Sequence, residues 1–583
     1  MTQSENKNSS ATNSKLSEVE KIKNSSRYLR GTLKESLDDE LTGSLAEADT
    51  QLIKFHGAYQ QQDRELDSER KRQKLEPLYS FMIRVRVPGG IITPQQWLKL
   101  DQIADTYASG TLKLTTRQAV QFHGIFKKKL KKTIQAINDT LLDTIAACGD
   151  VNRNVMCSVN PGQSLVFDEV QAFAKELNDY FTPQTSAYHE IWLNKKLVAG
   201  GEPVEDFEPI YGKTYLPRKF KTAIAVPPYN DTDVFTNDLG FIAIEEDGKL
   251  IGYNVTAGGG LGTTFGMPET YPRLADLVGF VTPERALKLA EAIVLFQKDN
   301  GNRENRKIAR LKYTIDRLGF DFFIKDIYKR AGFEPEPSKP FAFESTGDRY
   351  GWERAADGLW YLGLFVEGGR LKDFENLKYR TVLKEIAQIH TGDFRVTANQ
   401  NIIVAKVTDN KKIELDSILQ KYGILEYIKK SGLRRNSVAC VALNTCTLAF
   451  AEAERYLPSL IDKLEIILAE NGLANEDITI RMTGCPNGCG RPWIAEIGFI
   501  GKAPGLYNLY LGGGFTGNRF NTLYREMLNE EQIIAELTPI IFSYAQNRNN
   551  AERFGDFVVR NGYVKPGPTV LPDYRKLNMN FQI

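Results

Sequence analysis

A series of sequence elements occurs twice in this chain, once in each half. The string RVRVPGG ends at Gly90 and the string WYLGLFVEGG ends at Gly369, and each is followed by a helical pattern and a pair of strand patterns. The string KLTTRQ from Lys113 lies opposite RVTANQ from Arg395, in a register that slips by only three positions from that of the glycine pairs. Agreement in order, spacing and element type indicates an internal duplication rather than chance matching. Two homologous halves predict an α+β protein with a pseudo-two-fold axis and a cleft between the halves.

The first copy carries clear start and stop signals. FMIRVRVPGG, which begins at Phe81, alternates apolar and cationic residues and ends in Pro-Gly-Gly, which predicts a strand running into a turn. A helix is expected next, with Thr93 as its N-cap and Pro94 at its first position. A strand pair over TLKLTTRQAVQFHGIF and a helix over LKKTIQAINDTLLDTIAACG complete the copy. Arg84 and Arg86 alternate on the first strand, so one of them can be an ordinary solvent-facing residue.

The length of the chain requires several domain-sized units, because a single hydrophobic core rarely serves 583 residues. Residues 1 to about 27 have the composition of a disordered tail. The charge-rich stretch after them is either a solvated tail with a helix or two, or an arm that wraps a partner. The predicted division is an N-terminal arm at 1–75, the first repeat at 76–150, a large insert at 151–345, the second repeat at 346–430 and a C-terminal segment at 431–583.

Composition argues against several classes of function. Lys and Arg total 75 against 73 Asp and Glu, so the net charge of +2 gives no case for nucleic-acid or membrane binding. A site for anions has to come from a local cluster of charges. No stretch reaches the ~20 consecutive apolar residues of a membrane-spanning helix. The Ser/Asn/Lys-rich N-terminus lacks the apolar core of a secretory signal, and we expect a cytoplasmic protein.

Four of the six cysteines lie close together near the C-terminal end. Cys440 and Cys446 have C-x5-C spacing, and Cys485 and Cys489 have C-x3-C spacing within TGCPNGCGRP. Four thiolates in two pairs can bind zinc or an iron–sulfur cluster. Structural zinc sites favour tighter spacing in both pairs, whereas a cubane with irons at separated corners tolerates a wider one, which favours a 4Fe–4S cluster. The glycines around the second pair allow the backbone to approach a cofactor closely.

Two other features carry less information. Gly512, Gly514 and Gly517 match G-x-G-x-x-G, but the residues after them are predicted to form one continuous helix rather than the βαβ unit of a dinucleotide site. The motif is therefore interpreted as a turn. With no convincing flavin- or nicotinamide-binding unit, electrons have to come from outside the chain. Cys148 and Cys157 have no partner spacing and are expected to be buried small apolar residues.

The cysteine motifs resemble those of a known family. ACVALNTCTLAFAEAERYLP and RMTGCPNGCGRPW are similar to the sirohaem and 4Fe–4S signature of the sulfite and nitrite reductases. The resemblance continues in matching order through FMIRVRVPGG, LKLTTRQAVQFHGI, NRNVMC, TYLPRKFK and TGDFRVTANQN, from about Tyr28 onward, and is closest to the bacterial NADPH-dependent branch. It implies the nitrite/sulfite reductase fold, with ferredoxin-like half-domains in the two repeats and three domains around a central cofactor site. Residues 151–345 are then the sirohaem-binding domain, and 431–583 bind both the cluster and the sirohaem.

The resemblance implies a six-electron reduction of sulfite to sulfide by a haemoprotein subunit. The four clustered cysteines hold the 4Fe–4S cluster, and Cys489 also ligates the sirohaem iron. The implied substrate-binding and catalytic residues are Arg84, Arg153, Lys219 and Lys221. Implied sirohaem contacts are Lys113, Arg117, His123 and Asn487, with Arg306, Arg310 and Lys312 as weaker anchors. Because sirohaem carries eight carboxylates and sulfite is an anion, a cationic site suits both.

Two refinements follow from the chemistry of these residues. Lysines whose pKa is lowered by neighbouring cations can deliver protons, so Lys219 and Lys221 are hypothesised to be the proton donors or to organise a donating water. Arg is usual in the family at the position of Lys113, so a contact from Lys113 keeps the charge but loses the bidentate fork.

Two alternatives stay open at this point. A nitrite reductase of the same family would share the cluster, the sirohaem and the fold, whereas a non-catalytic iron–sulfur or zinc protein would use the cysteines structurally. The expected electron donor is a separate flavoprotein subunit fed by NADPH, in a hetero-oligomer and docked through residues 1–75. A ferredoxin is the less favoured donor.

Overall fold

The structure is a computed structural model that describes residues 15–160, 164–185, 190–193, 196–200 and 207–570. Four five-stranded sheets organise this part of the chain, two of them antiparallel and two mixed. In the described ranges no helix is both long enough and apolar enough to cross a membrane.

The first repeat forms an antiparallel sheet. Its strands, in spatial order, are Ala58–Gln62, Tyr79–Val85, Val120–Ile125, Leu112–Leu114 and Arg370–Leu371. The helix Pro94–Tyr107 begins as predicted, because the Thr93 hydroxyl accepts from the Gln96 N–H at 3.2 Å in a capping box. The predicted start signal of this helix is therefore confirmed.

The second helix of this repeat is shorter than predicted. It spans Lys127–Asn138 and does not continue to residue 149. The chain turns because Asp143 forms an antiparallel bridge with Arg86, whose N–H donates to the Asp143 carbonyl at 2.8 Å. A tertiary contact therefore accompanies an earlier end of the helix than the apolar pattern predicts.

The second repeat forms a matching antiparallel sheet with its own helices. Its strands, in spatial order, are Gly351–Arg354, Trp360–Leu364, Ile402–Val407, Asp393–Val396 and Ile91–Ile92. The helices are Tyr379–Ile389 and Asp409–Lys421. The strand, helix and strand pair predicted for this repeat are all present.

The two repeats exchange a short strand. Arg370–Leu371 closes the first sheet with Arg370 opposite Lys113, and Ile91–Ile92 closes the second sheet with Ile91 opposite Arg395. In the register of the sequence repeat, Lys113 corresponds to Arg395, and Ile91 corresponds to Arg370. The exchange therefore follows the pseudo-two-fold axis and ties the two halves into one body.

The duplication extends to the two mixed sheets. The third sheet has Met156–Cys157, Thr222–Ala225, Leu239–Glu246, Lys249–Ala257 and Asp276–Val281, and the fourth has Ser437–Ala439, Ile480–Thr483, Ile497–Ala503, Leu506–Leu511 and Thr522–Leu528. In both sheets the spatial order equals the chain order, with three parallel strands and then two antiparallel ones. A 14-residue helix follows the first strand and an 18-residue helix follows the last, at Phe167–Tyr180 and Pro283–Asn300 and again at Leu457–Glu470 and Glu530–Asn547.

Shorter elements connect these units. They are the helices Leu311–Leu318, Phe320–Ala331, Ile424–Tyr427, Gly432–Arg435 and Phe554–Arg560, the 3-10 turns Ile53–His56, Pro88–Gly90, Val234–Thr236, Arg306–Ile308, Glu367–Gly369 and Pro492–Ile494, and the strand pairs Glu190–Leu193 with Lys196–Gly200 and Asp373–Phe374 with Leu377–Lys378.

The continuous helix predicted after the G-x-G-x-x-G motif is wrong. Thr522–Leu528 is a strand, paired antiparallel with Leu506–Leu511, and the helix begins only at Glu530. An antiparallel edge strand still gives no βαβ unit, so the motif is a turn as interpreted.

The described part of the N-terminal arm is built into the fold. It contains the helices Glu18–Ser25, Leu33–Asp38, Glu47–Leu52 and Asp67–Arg72 and the edge strand of the first sheet. Disorder up to about residue 27 is wrong for residues 15–27, because Lys23 is buried and donates to the Leu216 carbonyl at 2.8 Å. Residues 1–14 lie outside the described residues.

Candidate active site

The clustered cysteines follow the carboxyl ends of two neighbouring parallel strands. Ser437–Ala439 leads directly into Cys440, and Ile480–Thr483 leads into the segment with Cys485. Because the two strands pair in parallel, both loops begin side by side at one edge of the fourth sheet. This edge is where mixed and parallel sheets usually bind their ligands.

The thiols accept hydrogen bonds from the loops around them. The Cys440 Sγ accepts from the Gly484 N–H at 3.3 Å and from the Thr483 hydroxyl at 3.5 Å, and the Asn487 side-chain amide donates to the Cys485 Sγ at 3.5 Å. Donors of this kind stabilise thiolates and tune the potential of a bound cluster. Asn487, predicted to contact a cofactor, therefore lies against one of the four clustered cysteines.

The pKa values of three of the thiols are raised. Burial is the main cause and the charge of Cys489 the second, giving a pKa of about 12 for Cys440 and about 11 for Cys446 and Cys485. The four sulfurs thus interact, yet in the described chain no three His, Cys, Asp or Glu side chains surround a point that fits a single metal ion. Four interacting thiols suit a cubane cluster, and binding it would release their protons.

Several of the predicted cationic site residues bond only to groups other than carboxylates. Arg84 donates to the Cys148 Sγ at 2.8 Å, Arg117 to the Asn237 Oδ1 at 2.7 Å, and Arg153 to the Gly149 carbonyl at 3.1 Å. Among the described residues no carboxylate pairs within 4.0 Å with any of six cations: Arg84, Arg117, Arg153, Arg218, Lys219 and Lys221. A group of buried and half-buried cations with no carboxylate paired directly to them in the described chain favours an anionic ligand.

The two lysines of this group have strongly lowered pKa values. For Lys219 and Lys221 burial is the largest cause, followed by the charge of Arg218 for the first and of Arg117 for the second. The charge of Cys489 acts on both lysines in the opposite direction. Cys489 therefore lies close to both the other three thiols and these two lysines.

A cleft of about 400 Å³ opens between these groups. Arg218 and Lys219 line one side, and Cys485 and Asn487 line another. Phe265 and other apolar side chains complete its wall. Such a cleft suits a flat ligand with an apolar body and an anionic rim.

The structure distinguishes Arg84 from Arg86. Arg86 is 6% exposed and forms a bidentate ion pair with Asp143 at 3.0 and 2.6 Å. The expectation that one of the two faces solvent is wrong, because the charge of Arg86 is neutralised inside the fold. The charge of Arg84 stays available, which favours its choice as the substrate-binding arginine.

Lys113 and His123 lie in a buried charge network. Lys113 pairs with Glu454 at 2.8 Å and donates to the Gly368 carbonyl, and Arg370 donates to the same carboxylate at 2.7 Å. Burial and then the charge of Arg370 lower the pKa of His123 to about 3, so its imidazole is neutral. Contact of either residue with sirohaem stays a prediction, and Lys113 already has two partners.

The acid stability of the protein should report on this network. Burial alone would raise the pKa of Glu454, but the charges of Lys113 and Arg370 outweigh it and lower that pKa from 4.5 to about 2. The stabilisation is therefore present above about pH 4.5 and is lost as the pH falls towards 2. We expect Glu454→Gln to lower the Tm at pH 6, with a deficit that shrinks between pH 5 and 2 in thermal unfolding scans. A pH-independent deficit would contradict this assignment.

The weaker anchor candidates are occupied by the protein itself. Arg306 and Arg310 pair with the buried carboxylates of Asp150 and Asp238. Lys312 donates to backbone carbonyls of the preceding glycine-rich turn. Of these three residues, Arg310 lines the cleft, and Lys312 supports it through the carbonyl of Gly262, which is also in the lining.

Sequence reasoning missed three contacts in this region. Arg218 lines the cleft but was not predicted as a site residue, although the motif TYLPRKFK contains it. The Thr116 hydroxyl donates to the Cys489 carbonyl at 2.9 Å, within the quoted motif LKLTTRQAVQFHGI. Cys148 is buried as expected, but as an acceptor for Arg84 it is not simply an apolar residue.

The fold and site describe an internally duplicated protein that gathers four thiols against a group of unpaired cations. Residues 73–139 and 353–422 match the family described as "Nitrite/Sulfite reductase ferredoxin-like half domain". Residues 173–334 match the "Nitrite and sulphite reductase 4Fe-4S domain". The last match ends before Cys440, so the four-cysteine site rests on the motifs and the geometry above.

Relatives match along almost the entire chain. Those named "Sulfite reductase (NADPH) hemoprotein beta-component" are 58% identical over 549 residues in Anoxybacillus flavithermus and 57% identical over 550 residues in Geobacillus kaustophilus, with 94% of this chain and 96% of each relative covered. The solved structure of the Mycobacterium tuberculosis NirA protein has a TM-score of 0.71 at 25% identity, covering 92% of this chain and 96% of that one. The chain therefore belongs to the nitrite and sulfite reductase family, and the predicted duplicated fold is confirmed.

Proposed function

We propose that the chain is the haemoprotein component of an assimilatory sulfite reductase that reduces sulfite to sulfide. The observation that carries this proposal is the position of Cys489, which lies close enough to the three other thiols and to Lys219 and Lys221 to shift the pKa values of all five. One sulfur can thereby join an electron store to an anion-binding site. The relatives that are 58% and 57% identical bear the sulfite reductase name, which favours sulfite over nitrite.

The residues present fit both cofactors. Cys440, Cys446, Cys485 and Cys489 would hold a 4Fe–4S cluster, and Cys489 would also ligate a sirohaem in the adjoining cleft. When bound, the two groups supply stored electrons and an iron that takes the substrate. The unpaired cations are the counter-ions that the sirohaem carboxylates and the substrate require.

The side chains of this chain bind and protonate the substrate. The overall reaction, SO₃²⁻ + 6 e⁻ + 7 H⁺ → HS⁻ + 3 H₂O, consumes seven protons while three oxygens leave as water. Arg84 and Arg153 hold the oxyanion by charge-assisted hydrogen bonds. Lys219 and Lys221, whose pKa values are lowered, deliver protons to the departing oxygens.

Electrons reach this chain from a partner. The described fold uses the G-x-G-x-x-G motif as a turn, so an NADPH-fed flavoprotein subunit in a hetero-oligomer is the proposed donor, with a ferredoxin as the alternative. Residues 1–75 are the proposed docking segment. Assembly of a cluster on free thiols fits the reducing cytoplasm.

The proposal is tested with purified protein loaded with sirohaem and cluster, supplied with chemically reduced methyl viologen. Sulfide formation is measured at limiting sulfite, and ammonia formation at limiting nitrite. A higher kcat/KM for sulfite, with sulfide as product, supports the proposal. Preference for nitrite with sulfite inert would place the chain with the nitrite reductases. A protein that takes up no sirohaem in the loading step, and so shows no haem bands, would indicate a structural metal protein.

Arg84 and Arg86 form a matched pair for testing the substrate site. We expect Arg84→Met to lower kcat/KM for sulfite by about 100-fold, the usual cost of removing one donor to a developing oxyanion, while the Tm changes little. Arg86→Met leaves Asp143 without its partner, so it should lower the Tm and leave kcat/KM within a few-fold of wild type. Equal losses of kcat/KM in both variants would contradict the assignment of Arg84.

A further inference from the structure

Two of the cluster cysteines stand on a loop without regular secondary structure. Residues 440–456 belong to no helix or strand. The ends of the loop are fixed, because the Cys440 N–H donates to the Met482 carbonyl at 3.2 Å and the Glu454 N–H donates to the Cys440 carbonyl at 3.0 Å. The loop is also held at Phe450 and Ala451, whose N–H groups donate to the Gly484 carbonyl at 2.8 and 3.1 Å. Cys446 lies between this point and Cys440.

Arg64 of the N-terminal arm holds the middle of this loop. Its Nη1 donates to the Cys446 carbonyl at 3.2 Å and to the Ala449 carbonyl at 2.6 Å, and its backbone N–H donates to the Asn444 carbonyl at 3.3 Å. Across the described ranges, every hydrogen bond that reaches residues 441–449 from outside the loop comes from Arg64. One residue from the far end of the sequence therefore restrains the segment that presents Cys446.

The charge of Arg64 is not cancelled by its neighbours. The Asp63 carboxylate accepts from the backbone N–H of Glu65, and Glu65 itself pairs with Arg455 at 2.6 Å. No carboxylate pairs with the Arg64 guanidinium within 4.0 Å in the part of the chain that the structure describes. Its positive charge is thus directed at two carbonyls next to a cluster thiolate.

We propose that Arg64 is a positioning residue for the iron–sulfur cluster, holding Cys446 in place and favouring the reduced cluster. This inference rests on the proposed function, in which Cys446 is a cluster ligand. Two effects follow from one side chain. Loss of the hydrogen bonds frees a ligand-bearing loop, and loss of the charge disfavours the state with one additional electron, so the midpoint potential falls.

Two substitutions separate these effects. Arg64→Met removes the charge and the two side-chain hydrogen bonds and keeps only the backbone bond to Asn444. Arg64→Lys keeps the charge on a shorter side chain, whose ammonium group does not reach the position from which Nη1 donates to both carbonyls. Arg455→Met is the matched control, because Arg455 stands at the far end of the same loop and carries an equal charge. Its side chain pairs with Glu65 and Glu452 and, within the described chain, forms no hydrogen bond with residues 441–449. Far-UV circular dichroism establishes that each variant is folded.

The experiment measures cluster loss and potential rather than turnover. Decay of cluster absorbance under a chelator gives the rate of loss, and a reductive titration followed by electron paramagnetic resonance gives the midpoint potential. We expect Arg64→Met to lose its cluster about 10-fold faster, the scale on which outer-shell partners affect metal retention, with a lower midpoint potential. Arg64→Lys should lose its cluster faster than wild type at a nearly unchanged potential, and Arg455→Met should match wild type in both.

The contradicting outcomes are distinct. If the loaded wild type and Arg64→Met release the cluster at the same rate and titrate at the same potential, this inference is overturned and the proposed function stands. If Arg455→Met reproduces the effects of Arg64→Met, only general surface charge is involved and the inference also fails. A purified wild type that takes up no cluster would overturn the proposed function itself.

Discussion

Replacing Cys489 with serine is expected to abolish sulfide formation from sulfite with reduced methyl viologen. Cys489 interacts with Cys440, Cys446 and Cys485 as well as with the two lysines of the cationic group. A serine hydroxyl is a much poorer ligand for iron–sulfur clusters and for haem iron than a thiolate, so both the electron store and its link to the substrate site are lost. No other predicted substitution removes both cluster ligation and sirohaem ligation through the loss of a single sulfur atom.

The readouts for Cys489→Ser distinguish chemistry from folding. Iron and acid-labile sulfide content, the haem spectrum and the turnover rate are measured on the same preparation. Cys157→Ala is the matched control, since Cys157 is a buried cysteine that ends a parallel strand of the third sheet, the counterpart of the sheet that bears the cluster cysteines. Cys157→Ala should keep cofactors and turnover, and full turnover in Cys489→Ser would refute the bridging role.

Replacing Lys221 with methionine is expected to lower kcat by about 100-fold or more, the range that positioned general acids contribute. Burial, Arg117 and Arg310 lower the pKa of Lys221, so its ammonium group gives up a proton more readily than a lysine in water. A bound anion raises that pKa again and keeps the proton in place until an oxygen departs. Activity should therefore fall as the pH rises through the pKa of this lysine, because only the protonated form can donate.

Lys221→Arg separates proton donation from charge. Arginine keeps the positive charge but holds its proton too tightly to act as an acid, so this variant should retain the KM for sulfite and lose kcat. Recovery of wild-type kcat in Lys221→Arg would mean that only the charge matters. Full sulfide production by Lys221→Met would remove the residue from the mechanism.

The antiparallel half of the fold was predictable because its signals are local. The two glycine pairs, the Thr93 cap and the alternating strands all appear in short windows, and the matching register of Lys113 and Arg395 reveals the duplication. The exchange of strands between the halves was not predictable, since Arg370–Leu371 and Ile91–Ile92 are only two residues long. Such short edge strands carry no period that a sequence pattern can show.

The similarity between the third and fourth sheets was not predicted from the sequence. The third and fourth sheets share strand order and helix lengths, yet their sequences differ because one carries cations before its parallel strands and the other carries cysteines after them. Arg153 and Lys221 precede strands of the third sheet, while Cys440 follows a strand of the fourth. A symmetric fold therefore builds an asymmetric site, in which each half supplies a different chemical role.

The site itself was predicted in part. The four cysteines and the cationic motifs follow from spacing and resemblance, but which cations are neutralised depends on distant carboxylates. Arg86 forms an ion pair with Asp143, and Lys113 forms one with Glu454, which lies in the other half of the chain. Such partners are set by tertiary packing, so no local pattern identifies them. The roles of the individual site residues stay predictions until they are measured.

Whether this chain alone reduces sulfite completely is decided by the number of electrons that it consumes for each sulfide. Purified, cofactor-loaded protein is given limiting sulfite and excess reduced methyl viologen, and viologen oxidation and sulfide are quantified together. We expect six one-electron equivalents to be consumed for each sulfide released, without any flavoprotein present. Consumption of electrons without stoichiometric sulfide, or no consumption by the loaded protein, would contradict the claim that this chain contains the complete site for sulfite reduction.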